Sequence, residues 1–206
     1  MAQGSRTSSY ARRYERWAAP LRGREGIVRG LGLANRVIVW VFYLAYALLV
    51  GLILPGTFGD EGLSTVAAVP GFKALAFWDT PLRCLSLAGA VVVIPALGFV
   101  LLSLVRAKLD VPRPAEGAGI EPLVPRPGTG RSFPSRHAFS AFAIAASWWV
   151  ASPTVAVVLL VFAGLLAVLR VVAGVHYPRD VVVGAAIGVA TGALVVAMAE
   201  LLKMMM

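Results

Sequence analysis

Apolar residues make up 59% of the 206 residues and charged residues only 14%, with a mean hydropathy of +0.81. These values exclude an ordinary soluble domain and point to an integral membrane protein. The formal charge of +9 comes largely from the first 36 residues, where Arg6, Arg12, Arg13, Arg16, Arg22, Arg24, Arg29 and Arg36 face only Glu15 and Glu25. Such a segment prefers the cytoplasm and anionic lipid. It is too long and too basic for a cleaved signal, and no module for nucleic acid accompanies it. The single Cys84 excludes an intrachain disulfide and a thiolate-metal site.

The predicted organisation is a basic N-terminal segment, 1–36, and one transmembrane unit, 37–206. A first span runs from about Val37 to Leu54 and stops at Pro55 and Gly56. Residues 62–79 read either as a weak second span or as an interfacial helix, because Pro70, Gly71 and Lys73 interrupt their apolar positions. A strong span follows from about Leu82 to Val105. Residues 109–133 carry five prolines and form an irregular polar loop. Val-Pro-Arg-Pro occurs in it twice, at 111–114 and 124–127, as turn composition and not as a structural repeat. Three more spans are expected, His137 to Ala151, Val155 to Leu169 and Val181 to Leu202, the first two joined by Ser152-Pro153-Thr154 as a hairpin.

The expected fold is therefore all-α, a polytopic transmembrane bundle of six helices. Parity then gathers the chain's polar residues at one rim. With a cytoplasmic N-terminus in a bacterial plasma membrane and six spans, this rim faces outward. With five, either the N-terminus or the rim changes side.

Three groups at the rim carry chemistry. Ser135 precedes an apolar helix as a good N-cap, which leaves the amides of Arg136, His137 and Ala138 to form an anion site. Pro178 suits a first helical turn, so Asp180 can reach back and hold one nitrogen of His176. The other nitrogen is then free as nucleophile or base. Arg106, Arg113 and Arg170 end or follow spans, where a guanidinium can bind phosphate oxygens and keep its charge.

These residues resemble the three-part signature of the type 2 phosphatidic acid phosphatase (PAP2) superfamily: Lys, six residues, Arg-Pro; then Pro-Ser-Gly-His; then Ser-Arg, five residues, His, three residues, Asp. Arg170, His176 and Asp180 match the third part, with Leu169 in place of the family Ser. Pro134, Ser135 and His137 match the second, with Arg136 in place of the Gly. Arg113 and Pro114 match the first, where Arg106 stands at the Lys position and Lys108 lies two residues out of register. The resemblance covers roughly residues 82–202.

It implies a membrane lipid phosphatase that requires no metal or other cofactor. His176 would be the nucleophile, Asp180 its orienting carboxylate and His137 the acid and then the base. Arg106 or Lys108, Arg113, Ser135, Arg136 and Arg170 would hold the phosphate. The implied partners are a lipid phosphate substrate and membrane lipid, with no nucleic acid. Polyprenyl diphosphate is the favoured substrate, and phosphatidylglycerophosphate and phosphatidic acid fit the same chemistry. Phosphotransfer to an alcohol, or lipid binding without turnover, are the rival readings.

Overall fold

The computed structural model describes residues 9–54, 71, 80–125 and 129–206. The described residues form six long helices: α1 (Ser9–Arg22), α2 (Glu25–Ile53), α3 (Pro81–Leu109), α4 (Arg136–Ser147), α5 (Pro153–Val172) and α6 (Pro178–Met205). No strand occurs among them. Four of these, α2, α3, α5 and α6, are long and apolar enough to cross a membrane, and the chain is an integral membrane protein. The ambiguous segment 62–79 lies, apart from Gly71, outside the described residues.

Local chemistry sets the helix ends. Thr80 accepts from the Arg83 amide at 3.4 Å with Pro81 in the first turn, and α3 stops where Asp110 takes a left-handed conformation, φ 38. Ser135 and Ser152 cap α4 and α5 in the same way. Pro178 opens α6, with the Asp180 carboxylate reaching back to the Tyr177 amide at 3.0 Å.

Helix α4 is the centre of the bundle. Its 12 residues span only about 18 Å, short of a hydrocarbon core of about 30 Å. A 3-10 turn, Trp148–Val150, prolongs it, and Trp148 donates to the Ala45 carbonyl at 3.1 Å. Surrounding helices shield it from lipid on a face of buried Ala138, Ala141 and Ala145. Helix α6 lies directly against it. A Cβ on Gly184 would come 2.5 Å from the Ser135 carbonyl oxygen, and one on Gly188 2.4 Å from that of Phe139. This is the close backbone approach that small residues at a four-residue spacing permit.

Helix direction decides which ends form the site. Arg170, at the end of α5, contacts Asn35 early in α2. Further along α2, Phe42 shares a cavity with Phe99 of α3 and Tyr46 donates to Val91, so α2 and α3 are antiparallel. Helix α2 leaves the rim and α3 returns to it. At the opposite face Arg83 reaches the Met206 carbonyl, and Gly71 lies beside Ser152.

Helix α1 packs on the rim. Ala11, Tyr14 and Ala18 bury one stripe against Ile120 and Leu123. The Tyr14 hydroxyl donates to the Val172 carbonyl and accepts from the Leu123 amide, both at 3.2 Å. Arg22 grips Glu15 through two bonds of 2.7 and 2.8 Å and reaches the Glu121 carbonyl. The basic N-terminal segment and the rim therefore lie on one face. Helix α1 is fastened to the loops that build the rim.

Candidate active site

The rim is assembled from the C-terminal ends of α3 and α5, the N-terminal ends of α4 and α6, and the loop between α3 and α4. Five residues of the proposed site, Arg106, Ser135, Arg170, His176 and Asp180, are buried there.

His176 lies in the turn between α5 and α6, 1% exposed, with Asp180 one helical turn further on and fully buried. The carboxylate Oδ2 is 3.6 Å from His176 Nδ1, just beyond hydrogen-bond length. Ser132 closes the gap. Its hydroxyl donates to Asp180 Oδ2 and stands 3.4 Å from His176 Nδ1. Nδ1 is thus occupied on the protein side, which leaves Nε2 for a substrate. Burial pushes the imidazole down from its usual value to about 4, against the pull of Asp180 and with help from the Arg170 and Arg113 charges. At neutral pH the ring is uncharged and its pair is available.

His137 opens the first turn of α4 and is held differently. Arg170 Nη2 donates to its Nδ1 at 2.7 Å while Nη1 donates to Asn35 Oδ1 at 3.2 Å. A guanidinium can only donate, so Nδ1 is an acceptor and the ring proton sits on Nε2. Beside His137 a cavity of about 250 Å³ runs between α2, α3, α4 and α5. Phe42, Phe99, Ile144 and Leu166 form apolar walls, and Tyr43, Arg136, His137 and Ser140 bring polar groups to its lining.

Arg113 Nε donates to the Gly130 carbonyl at 2.9 Å, and its Nη1 is buried with no hydrogen-bond partner among the described residues. Glu116 accepts from the Gly130 amide at 2.9 Å and fixes the same turn from the other side. The Ser135 hydroxyl accepts from the Ala138 amide at 3.4 Å, and its own amide donates to the Asp180 carbonyl at 2.9 Å. The start of α4 is thereby fixed to the start of α6.

The profile of the PAP2 superfamily matches residues 84–203, more than half of the chain. The chain belongs to the PAP2 superfamily. Among solved structures, Aquifex aeolicus LpxE is similar at 24% identity and a TM-score of 0.48, over 82% of this chain and 93% of that one. The first transmembrane PAP2 type phosphatidylglycerolphosphate phosphatase from Bacillus subtilis is similar at 19% identity and a TM-score of 0.46, over 91% and 94%. No curated protein matches the chain.

In this PAP2 chain the three motif segments converge as spacing and parity led one to expect, but individual side chains hold unexpected posts. Arg106 donates to the main-chain carbonyls of Arg131, Ser132 and Pro134, so it braces the loop that presents Ser132 and Ser135. Lys108 is exposed on the other side of α3, two residues and about 200° around the helix from Arg106. The alternative register for the family Lys is thus placed off the site. Arg136, where the PAP2 pattern has Gly, does not fill the pocket. Its guanidinium lies 5.8 Å from the centre of the Phe99 ring, at the junction of the cavity and the rim.

Sequence reasoning missed Ser132 and Asn35. Ser132 stands three residues before the cap Ser135, and its position there was the only sequence signal available. Asn35 carries none, since a lone amide ahead of an apolar run reads as an ordinary helix flank.

Proposed function

We propose that this chain is a lipid phosphatase that hydrolyses a phosphate monoester or diphosphate through a phosphohistidine. The observation that carries this reading is that two imidazoles are held by opposite partners, one by a carboxylate and a hydroxyl, the other by a guanidinium.

In the first step His176 Nε2 attacks the terminal phosphorus and the bond to the departing oxygen breaks, the lipid oxygen of a monoester or the bridging oxygen of a diphosphate, which leaves as the lipid monophosphate; His137 gives that departing oxygen a proton. Asp180 and Ser132 orient the attacking ring and support the positive charge it acquires. Arg170 would turn from His137 Nδ1 to a phosphate oxygen as substrate enters. That frees Nδ1 to take a proton, so that His137 can release the one on Nε2. In the second step His137 takes a proton from water, the water oxygen attacks phosphorus, and the N–P bond breaks to release inorganic phosphate. Arg113, Arg170, the Ser135 hydroxyl and the amides after it stabilise the phosphoryl oxygens in both steps. Arg106 acts through the loop it braces and is a positioning residue.

The lipid tail would lie in the apolar cavity beside His137, and Arg136 at its mouth suits the second phosphate of a diphosphate. A polyprenyl diphosphate is therefore the substrate put first. His176→Ala should abolish phosphate release across a panel of polyprenyl diphosphate, phosphatidylglycerophosphate and phosphatidic acid in detergent, a loss on the order of 10^4-fold or more. Turnover unchanged in that variant would overturn the mechanism.

A further inference from the structure

The docking of α1 raises the question of which side of the membrane the site serves. Among the described residues, cations are distributed very unequally between the two faces. Seven arginines lie from Arg12 to Arg36, on α1, the first part of α2 and the turn between them, ahead of the apolar part of α2. Outside the site itself the rim adds Lys108, Arg131 and Arg179, all exposed. At the opposite face the described residues supply Arg83 and Lys203, and Lys203 is paired with Glu200 at 2.8 Å. The exclusion of every arginine assigned to phosphate chemistry leaves the asymmetry in place. Arginine and lysine flanking spans are retained on the cytoplasmic side, and the anionic lipid of that leaflet attracts them.

The second observation builds on the first, since most of the rim's cations lie on the segment that α1 begins. Contacts of Tyr14 and Arg22 tie α1 to the rim, and the charge distribution gives the rim its side. We infer that the site opens to the cytoplasmic leaflet, with the exposed arginines of α1 resting on its anionic head groups.

Helix α1 suits that position, since Ala11, Tyr14 and Ala18 face the protein and Arg12, Arg13 and Arg16 face away. Its ring system extends to the site, because Tyr10 packs at 4.9 Å against Tyr177, the residue between His176 and Pro178. The inference rests on the phosphatase reading only for the nature of the substrate. With that reading, the substrate is a lipid phosphate displayed at the cytoplasmic surface. It must be supplied there by enzymes that transfer a phosphoryl or diphosphate-bearing group from soluble donors, and inorganic phosphate returns directly to the cytoplasm.

Single cysteines at two exposed positions test the orientation in the full chain. Thr129→Cys reports the rim and Thr154→Cys the opposite face; the parent chain, whose Cys84 is buried, serves as the blank. A membrane-impermeant maleimide is applied to spheroplasts and to inverted vesicles of a bacterial host. Thr129→Cys should be labelled in inverted vesicles and protected in spheroplasts, and Thr154→Cys should show the reverse. Labelling of Thr129→Cys in spheroplasts, or equal labelling of both positions from both sides, would overturn the inference. Phosphate release by the same detergent-solubilised proteins separates the two readings. The expected labelling without turnover supports the orientation and removes the phosphatase, whereas the opposite labelling with turnover keeps the phosphatase and removes the orientation.

Discussion

The two histidine corners of the site are built on contrary principles. At His176 the ring is enclosed, 1% exposed, and faces an acceptor, Asp180, across a bridging Ser132. At His137 the ring is half-buried, faces a donor, Arg170, and borders an apolar cavity. An acceptor at Nδ1 keeps the proton on that nitrogen and frees the Nε2 pair; a donor at Nδ1 does the opposite. The same side chain is thus prepared as a nucleophile in one corner and as a proton carrier in the other. The difference lies in the neighbours and not in the rings.

Four further measurements test that division, and the largest effect is expected at the open corner. His137→Ala should slow phosphate release from a lipid substrate by about 10^2 to 10^4-fold, the usual contribution of a general acid or base. With an aryl phosphate, whose leaving group departs unprotonated, the phosphohistidine should still form and should accumulate in a rapid quench. An equal loss for both substrates in the first step would break the proposed division of labour.

Ser132→Ala sharpens the closed corner. It deletes a hydrogen bond to a buried carboxylate, and about 10 to 100-fold should be lost from kcat with KM little changed. Ser132→Thr, which retains the hydroxyl, should recover part of that loss. A change confined to KM would place Ser132 in substrate binding instead.

Arg136→Gly restores the family residue at the mouth of the cavity. The preference for a diphosphate over a monophosphate of the same lipid should fall by about tenfold, the size of one charge-assisted hydrogen bond. An unchanged ratio would show that the guanidinium remains over Phe99 during turnover.

The smallest effect is expected from mild acid. Because His176 is held down to about 4, it is neutral above that pH and becomes protonated, and so unreactive, only as pH falls through it. At pH 5 about nine-tenths of the imidazole remains neutral, so the rate of phosphohistidine formation from an aryl phosphate should be nearly that at pH 7. A limb near the ordinary histidine value of about 6.5 would contradict the closed corner.

The parts of the site that could be read from sequence are those in which spacing alone fixes geometry. His176 and Asp180 are four residues apart around a helix start, Ser135 stands directly before an apolar helix, and Pro178 marks a first turn. A helix start reports its own cap and its own neighbouring carboxylate, because both interactions lie within one turn. The antiparallel order of spans likewise followed from their hydropathy and the short Ser152-Pro153-Thr154 connector.

Ser132, Asn35 and α1 belong to another category. Ser132 reaches Asp180 across 48 positions and Asn35 reaches Arg170 across 135. Tyr14 joins Val172 and Leu123 across 158 and 109 positions. The sequence by itself determined that this is a membrane-embedded helical PAP2 protein with a paired histidine and aspartate at one rim, since composition, spacing and capping are local. Only the tertiary structure decided that Ser132 joins the closed corner, that Arg170 sets the proton on His137, and that the basic N-terminal helix shares the face of the site. Those outcomes depend on which distant surfaces pack together, and local spacing carries no record of that choice.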